Sequence, residues 1–171
     1  GKPEGRNGDT VAGEAIAIRP AEYNPRRIDD VAMAGLRNSL QIFGDLSGFV
    51  VNRRTGNIVC GHQRRAALGD VDLGQAEFFP EFTAALGPPE KRFESVERMG
   101  FVQTDAGGQF RVRMVDWDQA FEKAANLAAN NTAIQGEFDN DQAAKLLEEI
   151  QADDAVNGTD TFHQVCLDEL L

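Results

Sequence analysis

The residues of this chain best suited to chemistry gather in one short stretch, Ile58-Val59-Cys60-Gly61-His62-Gln63-Arg64-Arg65-Ala66-Ala67-Leu68-Gly69, where an apolar run ends in a glycine and passes into a segment of helical composition. Such a junction suits an anion. The first backbone N–H groups of a helix lack internal partners and sit at the positive end of its dipole, so a phosphate placed there gains hydrogen bonds and charge together. Gly61 lets the backbone come close. Arg64 and Arg65 diverge by about 100° around a helix, so both reach one cleft only if their stems bend. Arg64 reads as the ligand contact and Arg65 as a structural ion pair. His62 lies in the first turn, where the dipole favours a neutral imidazole. It reads first as a capping or hydrogen-bonding residue and second as a general base or base-edge contact. Gln63 can donate and accept at the same opening. Upstream, Arg26 follows a proline in Asn24-Pro25-Arg26-Arg27, which makes it either a pre-aimed side chain or an ordinary surface arginine beside a turn.

The elements around these residues must hold them in place. Asp29 or Asp30 caps a predicted helix whose Val31, Met33, Leu36, Leu40 and Phe43 face a core, with Gly44 as its stop. Residues 49–52 and 57–60 are β-branched runs joined at Thr55-Gly56 and predict a hairpin; residues 62–68 follow as a short helix ended by Gly69. The alternation in residues 14–18 predicts a first strand. Residues 71–100 read as an insertion: Phe78, Phe79 and Phe82 cluster beside Pro80, Pro88-Pro89 makes a break, and 90–99 has helical composition. The phenylalanines form either a satellite core or a lid or partner surface. Residues 101–103 and 109–115 predict a second hairpin, with Phe110, Val112 and Met114 on one face and Arg111 and Arg113 on the other. A helix follows Asp116-Trp117-Asp118 through Phe121, Ala124, Ala125, Leu127 and Ala128, another spans 139–150, and 165–171 closes the chain as a last short helix.

Composition bounds the rest. With 171 residues and 42% apolar content, one compact domain is expected. Its parts are a disordered leader over residues 1–13, an α/β domain over 14–135 and a helical extension over 136–171. No run approaches a membrane span and no signal segment opens the chain. Two cysteines and two histidines offer neither a disulfide framework nor metal-ligand spacing, which points to a reducing cytoplasm and no metal site of the chain's own. The net charge of −11 opposes binding to a long duplex. That charge is uneven, however. Residues 1–70 hold 10 basic and 8 acidic side chains, residues 71–171 hold 7 and 20. A local basic cleft on an acidic body fits a small phosphorylated ligand or a short strand, and the acidic half is a candidate surface for a protein partner.

The order of these pieces, an Asn24-Pro25-Arg26 element, a helix ending in Phe43-Gly44, a short hairpin and a G-x-x-R-R helix, resembles the N-terminal domain of the ParB and sulfiredoxin superfamily. The resemblance covers about residues 16–69 and resumes over 111–150. It implies an α/β (α+β) fold with a small mixed sheet and packed helices. For the ParB branch it further implies a nucleoside triphosphate, CTP or ATP, bound with Mg²⁺ by Arg26, Gly61, His62, Gln63, Arg64, Arg65 and Asn131; the sequence leaves the oligomeric state open, with a homodimer one of the candidates. Asn130 stands where that branch has a glutamate, and no arginine follows within 132–136. Sulfiredoxins carry a G-C-H-R loop, whereas here Cys60 precedes the glycine. The Gly61-His62-Gln63-Arg64 run looks closer to ParB-like nucleases and related proteins of phage, plasmid and DNA-modification systems. The resemblance thus implies a DNA-handling protein with a phosphate or nucleotide site. A DNA phosphodiesterase using His62 with Asp29, Asp30, Asp70 or Asp116 is the second reading. A non-enzymatic interaction module is the third.

Overall fold

In the computed structural model, which describes residues 17–79, 98–105, 108–137, 139–153 and 160–170, the β-branched and aromatic runs become strands. These are β1 (Phe49–Asn52), β2 (Asn57–Cys60), β3 (Glu77–Phe78), β4 (Arg98–Thr104) and β5 (Gly108–Val115). They form one mixed sheet in the order β2-β1-β5-β4-β3, antiparallel except where β1 and β5 run parallel at its centre. The alternation of β5 sends Phe110, Val112 and Met114 into the larger core, with Phe49, Val51, Ile58 and Val102. Helices α1 (Asp30–Phe43) and α2 (His62–Ala67) close that side through Leu36, Leu40 and Ala67. On the opposite face Val59, Val115 and Trp117 pack under α3 (Gln119–Ala129), which contributes Phe121 and Ala125. The mixed α/β class expected from the sequence is therefore the class observed.

Helix boundaries follow their caps. Asp29 accepts the Ala32 N–H at 2.8 Å, Asp118 the Phe121 N–H at 2.8 Å, and Asp139 the Gln142 N–H at 3.0 Å, opening α1, α3 and α4 (Asn140–Ala152) respectively. The faces differ from expectation more than the ends do. In α1 the buried residues are Gly35 and Leu40, while Val31 and Phe43 are exposed. Gly35 is covered by the other end of the chain. The segment carrying α5 (Thr161–Gln164) packs on α1, Asn38 donates to the Gln164 carbonyl at 2.9 Å, and a Cβ at Gly35 would stand 2.8 Å from Cys166 Sγ. This last helix starts at Thr161 rather than 165 and yields to a 3₁₀ turn over Leu167–Glu169.

In α3 the inward side chains are Glu122 and Asn126, whereas Ala124, Leu127 and Ala128, expected to define an apolar face, are exposed. Of the expected strand over 14–18, residues 17 and 18 are outside any strand, and 14–16 are not among the described residues. Instead Arg19 makes a single parallel bridge to Asn57, donating to Gly56 O and accepting from the Ile58 N–H, and Pro20 has no N–H to extend it. Within 71–100, Arg98 and Met99 are strand rather than helix, Phe78 is buried in the larger core, and Phe79 is exposed beside Phe101. Phe82, Pro88-Pro89, residues 90–97 and the leader 1–13 lie outside the described residues. No helix among the described residues is long and apolar enough to cross a membrane.

Candidate functional site

The turn from β2 into α2 depends on Gly61. Its φ of 105° is in the left-handed region, and a Cβ there would lie 2.4 Å from Cδ1 of Phe49. Only glycine lets the ring pack against the start of the helix. Replacing Gly61 with alanine is expected to cost about 2–4 kcal/mol, combining left-handed strain with displacement of a core ring; a urea unfolding curve checks it. The same Phe49 ring supports Arg64, whose Cζ lies 5.9 Å from the ring centroid, and Arg64 Nε donates to Gly48 O at 3.0 Å. These contacts hold the guanidinium half-buried at the sheet edge. Among the described residues no carboxylate ion-pairs with it.

Arg65 points elsewhere. Its Nε donates to Val71 O at 3.2 Å and its Nη1 to Asp70 at 3.4 Å, so the two arginines divide as their helical spacing requires. His62 Nε2 accepts the Ala21 N–H at 3.1 Å, which assigns the ring proton to Nδ1. Burial, with help from the nearby Arg64 and Arg65 charges, pushes the imidazole below its ordinary value and keeps it neutral. Gln63 Nε2 donates to Arg26 O at 3.3 Å. Arg26 in turn reaches Asn130 Oδ1 at 3.5 Å and lines a cleft of about 360 Å³ with Pro25, Asn130, Thr132 and Gln135. Arg26 is close enough to Arg64 for the two charges to oppose each other. The Asn-Pro-Arg element, the opening of α2 and the end of α3 are thus brought together.

Asn131 is not part of that contact. Its side chain accepts the Ala133 N–H at 3.0 Å and caps the turn over Thr132–Ile134, leaving Asn130 beside Arg26. Three of the four acids singled out in the sequence have structural partners: Asp29 caps α1, Asp70 holds Arg65, and Asp116 pairs with Arg54 at 3.0 Å, while Asp30 lies exposed in the first turn of α1. Among the described residues no three His, Cys, Asp or Glu side chains gather as a metal would need. Cys60 borders the site near Arg64 and Arg113, and burial pushes its thiol up, away from the reactive thiolate.

The largest polar feature was not legible as a site. Glu122, fully buried on α3, accepts hydrogen bonds from Tyr23 Oη at 2.6 Å, Asn52 Nδ2 at 2.8 Å, Asn57 Nδ2 at 3.0 Å and the Thr55 hydroxyl. Burial raises its pKa, but the four donors outweigh that and the carboxyl lies below its ordinary value. Asn52 also bridges Trp117, donating to its carbonyl at 2.9 Å and accepting its N–H at 3.0 Å. The available signal was an i, i+4 row of Glu122, Asn126 and Asn130 on a helix whose other faces are rich in alanine. No protein-family model matches the chain, and no curated protein matches it.

Proposed function

We propose that this chain is a ParB-like DNA-handling protein that recognises phosphate, as a nucleotide or a short DNA strand, where the Arg26 loop meets the opening of α2. The observation that carries the reading is the placement of Arg26 and Arg64. Two guanidinium groups stand within electrostatic reach of each other, and although the Asp45 carboxylate also acts on Arg64, among the described residues neither arginine forms a carboxylate ion pair. An anion between the two groups gains charge-assisted hydrogen bonds from both. Arg64 is fixed by Gly48 O and the Phe49 ring, so this donor is positioned before the ligand arrives, while Arg26 follows Pro25 and reaches Asn130 at 3.5 Å. His62 supports the site from behind through the Ala21 N–H. A nucleoside triphosphate, CTP or ATP, brings Mg²⁺ with it on its own phosphates.

Calorimetric titration with CTP, ATP and GTP in Mg²⁺, and with a short single-stranded oligonucleotide, tests the reading. Saturable micromolar binding of one of them that weakens as salt is raised is the expected result. Heats indistinguishable from dilution for every ligand would overturn it.

A further inference from the structure

We propose that Glu122 and Tyr23 position the arginine loop: the buried carboxylate, tied to the sheet by the β1–β2 hairpin, holds Tyr23 and so sets where Arg26 stands relative to Arg64. The proposal rests on the phosphate-site reading above. Glu122, Asn126 and Asn130 are spaced four residues apart and share one face of α3. The loop runs along that face in register. Tyr23 meets Glu122 at 2.6 Å, Asn24 Oδ1 accepts from Asn126 at 3.5 Å, and Arg26 donates to Asn130 at 3.5 Å.

The three rungs are unequal. The second and third are at the limit of a hydrogen bond, and the third is exposed, whereas the first is short and ends on a buried charge. On its other side the loop is held to α2 by the Ala21–His62 and Arg26–Gln63 bonds. It is therefore suspended between two helices, with Tyr23 as its firm anchor on α3. The other donors to Glu122, namely Asn52, Thr55 and Asn57, all lie on or between β1 and β2, and β2 leads through Gly61 directly into α2 and Arg64. One carboxylate thereby references both arginines to the same hairpin.

Two variants separate positioning from mere support. Tyr23→Phe and Thr55→Ala each remove one donor from the same carboxylate, but only Tyr23 belongs to the loop. Thr55→Ala loses more besides, because the hydroxyl also accepts the Asn57 N–H. In Tyr23→Phe, the amides of Ala21 and Asn24, both hydrogen-bonded in the wild type, are expected to exchange about 5-fold faster, and CTP–Mg²⁺ and inorganic triphosphate to bind about 5-fold more weakly. In Thr55→Ala the melting temperature falls at least as far, with loop exchange and affinity near wild type. Unchanged loop exchange in Tyr23→Phe, or equal acceleration in both variants, would overturn the proposal. Failure of the wild type to bind these probes and the single-stranded oligonucleotide alike would instead sink the phosphate reading, while the exchange comparison still decides whether Tyr23 holds the loop.

Discussion

Replacing Glu122 with alanine is expected to remove about 3–5 kcal/mol of stability, because it strands buried donors on Asn52, Asn57, Thr55 and Tyr23 together. For a chain of this length that corresponds to a fall in melting temperature on the order of 10 °C. Glu122→Gln keeps the volume but turns an amide nitrogen toward groups that already donate, so it should fall between the two. A loss below about 0.5 kcal/mol in the alanine variant, the size of an ordinary surface change, would show that the network does not bind the three segments. The pH dependence has a definite sign. A carboxyl held below its ordinary value of 4.5 contributes fully above that value and loses its contribution as pH falls through the lower, folded one. His62, also depressed, acts in the same direction at higher pH: its contribution begins to fade as pH drops below its ordinary 6.5. Stability should thus decline in two steps on acidification, and Glu122→Gln should shrink the lower one to what Asp45, whose carboxyl is, despite burial, also held below its ordinary value by its bonds from Arg111 and Gly48, contributes.

Arg64→Ala is expected to weaken phosphate-ligand binding by about 10- to 100-fold, the loss of a charge-assisted contact from a half-buried guanidinium. Arg26→Ala should fall in the same range. Because Arg64 also bonds Gly48 O and lies against Phe49, Arg64→Lys is the sharper variant. It keeps the charge and loses the fork, so it should recover part of the affinity. Arg65→Ala serves as the contrast: its partners are Val71 O and Asp70, and it should cost about 1 kcal/mol of stability while leaving affinity within about 3-fold. Equal losses of affinity in the Arg64 and Arg65 variants would contradict the division of labour between them.

Much of the frame was readable from residues alone because local chemistry set it. Caps at Asp29, Asp118 and Asp139 and stops at Gly44 and Gly69 place helix ends within a residue or two, and the alternation Phe110, Val112, Met114 identifies the inner face of β5. Pairings at long separation left less trace. The parallel contact between β1 and β5 joins residues more than sixty apart, with neither run carrying a local mark of its partner. Apolar periodicity found only part of the inward face of α3: Phe121 and Ala125 pack on the smaller core, but the most deeply buried side chains, Glu122 and Asn126, are polar and bonded to groups far along the chain. The different directions of Arg64 and Arg65 were accessible, because helical spacing sets them about 100° apart. The choice between Asn130 and Asn131 was not: it depends on the cap that Asn131 makes with Ala133.

Arg26, the opening of α2 and Asn130 together form the proposed phosphate site. Amide chemical shifts of the ¹⁵N-labelled chain during titration with inorganic triphosphate test it. Saturable shifts confined to Arg26, to the residues from Gly61 through Arg65 and to Asn130, with the acidic helix α4 unmoved, are the predicted result. Shifts that fail to saturate, or that saturate elsewhere on the molecule, would contradict it.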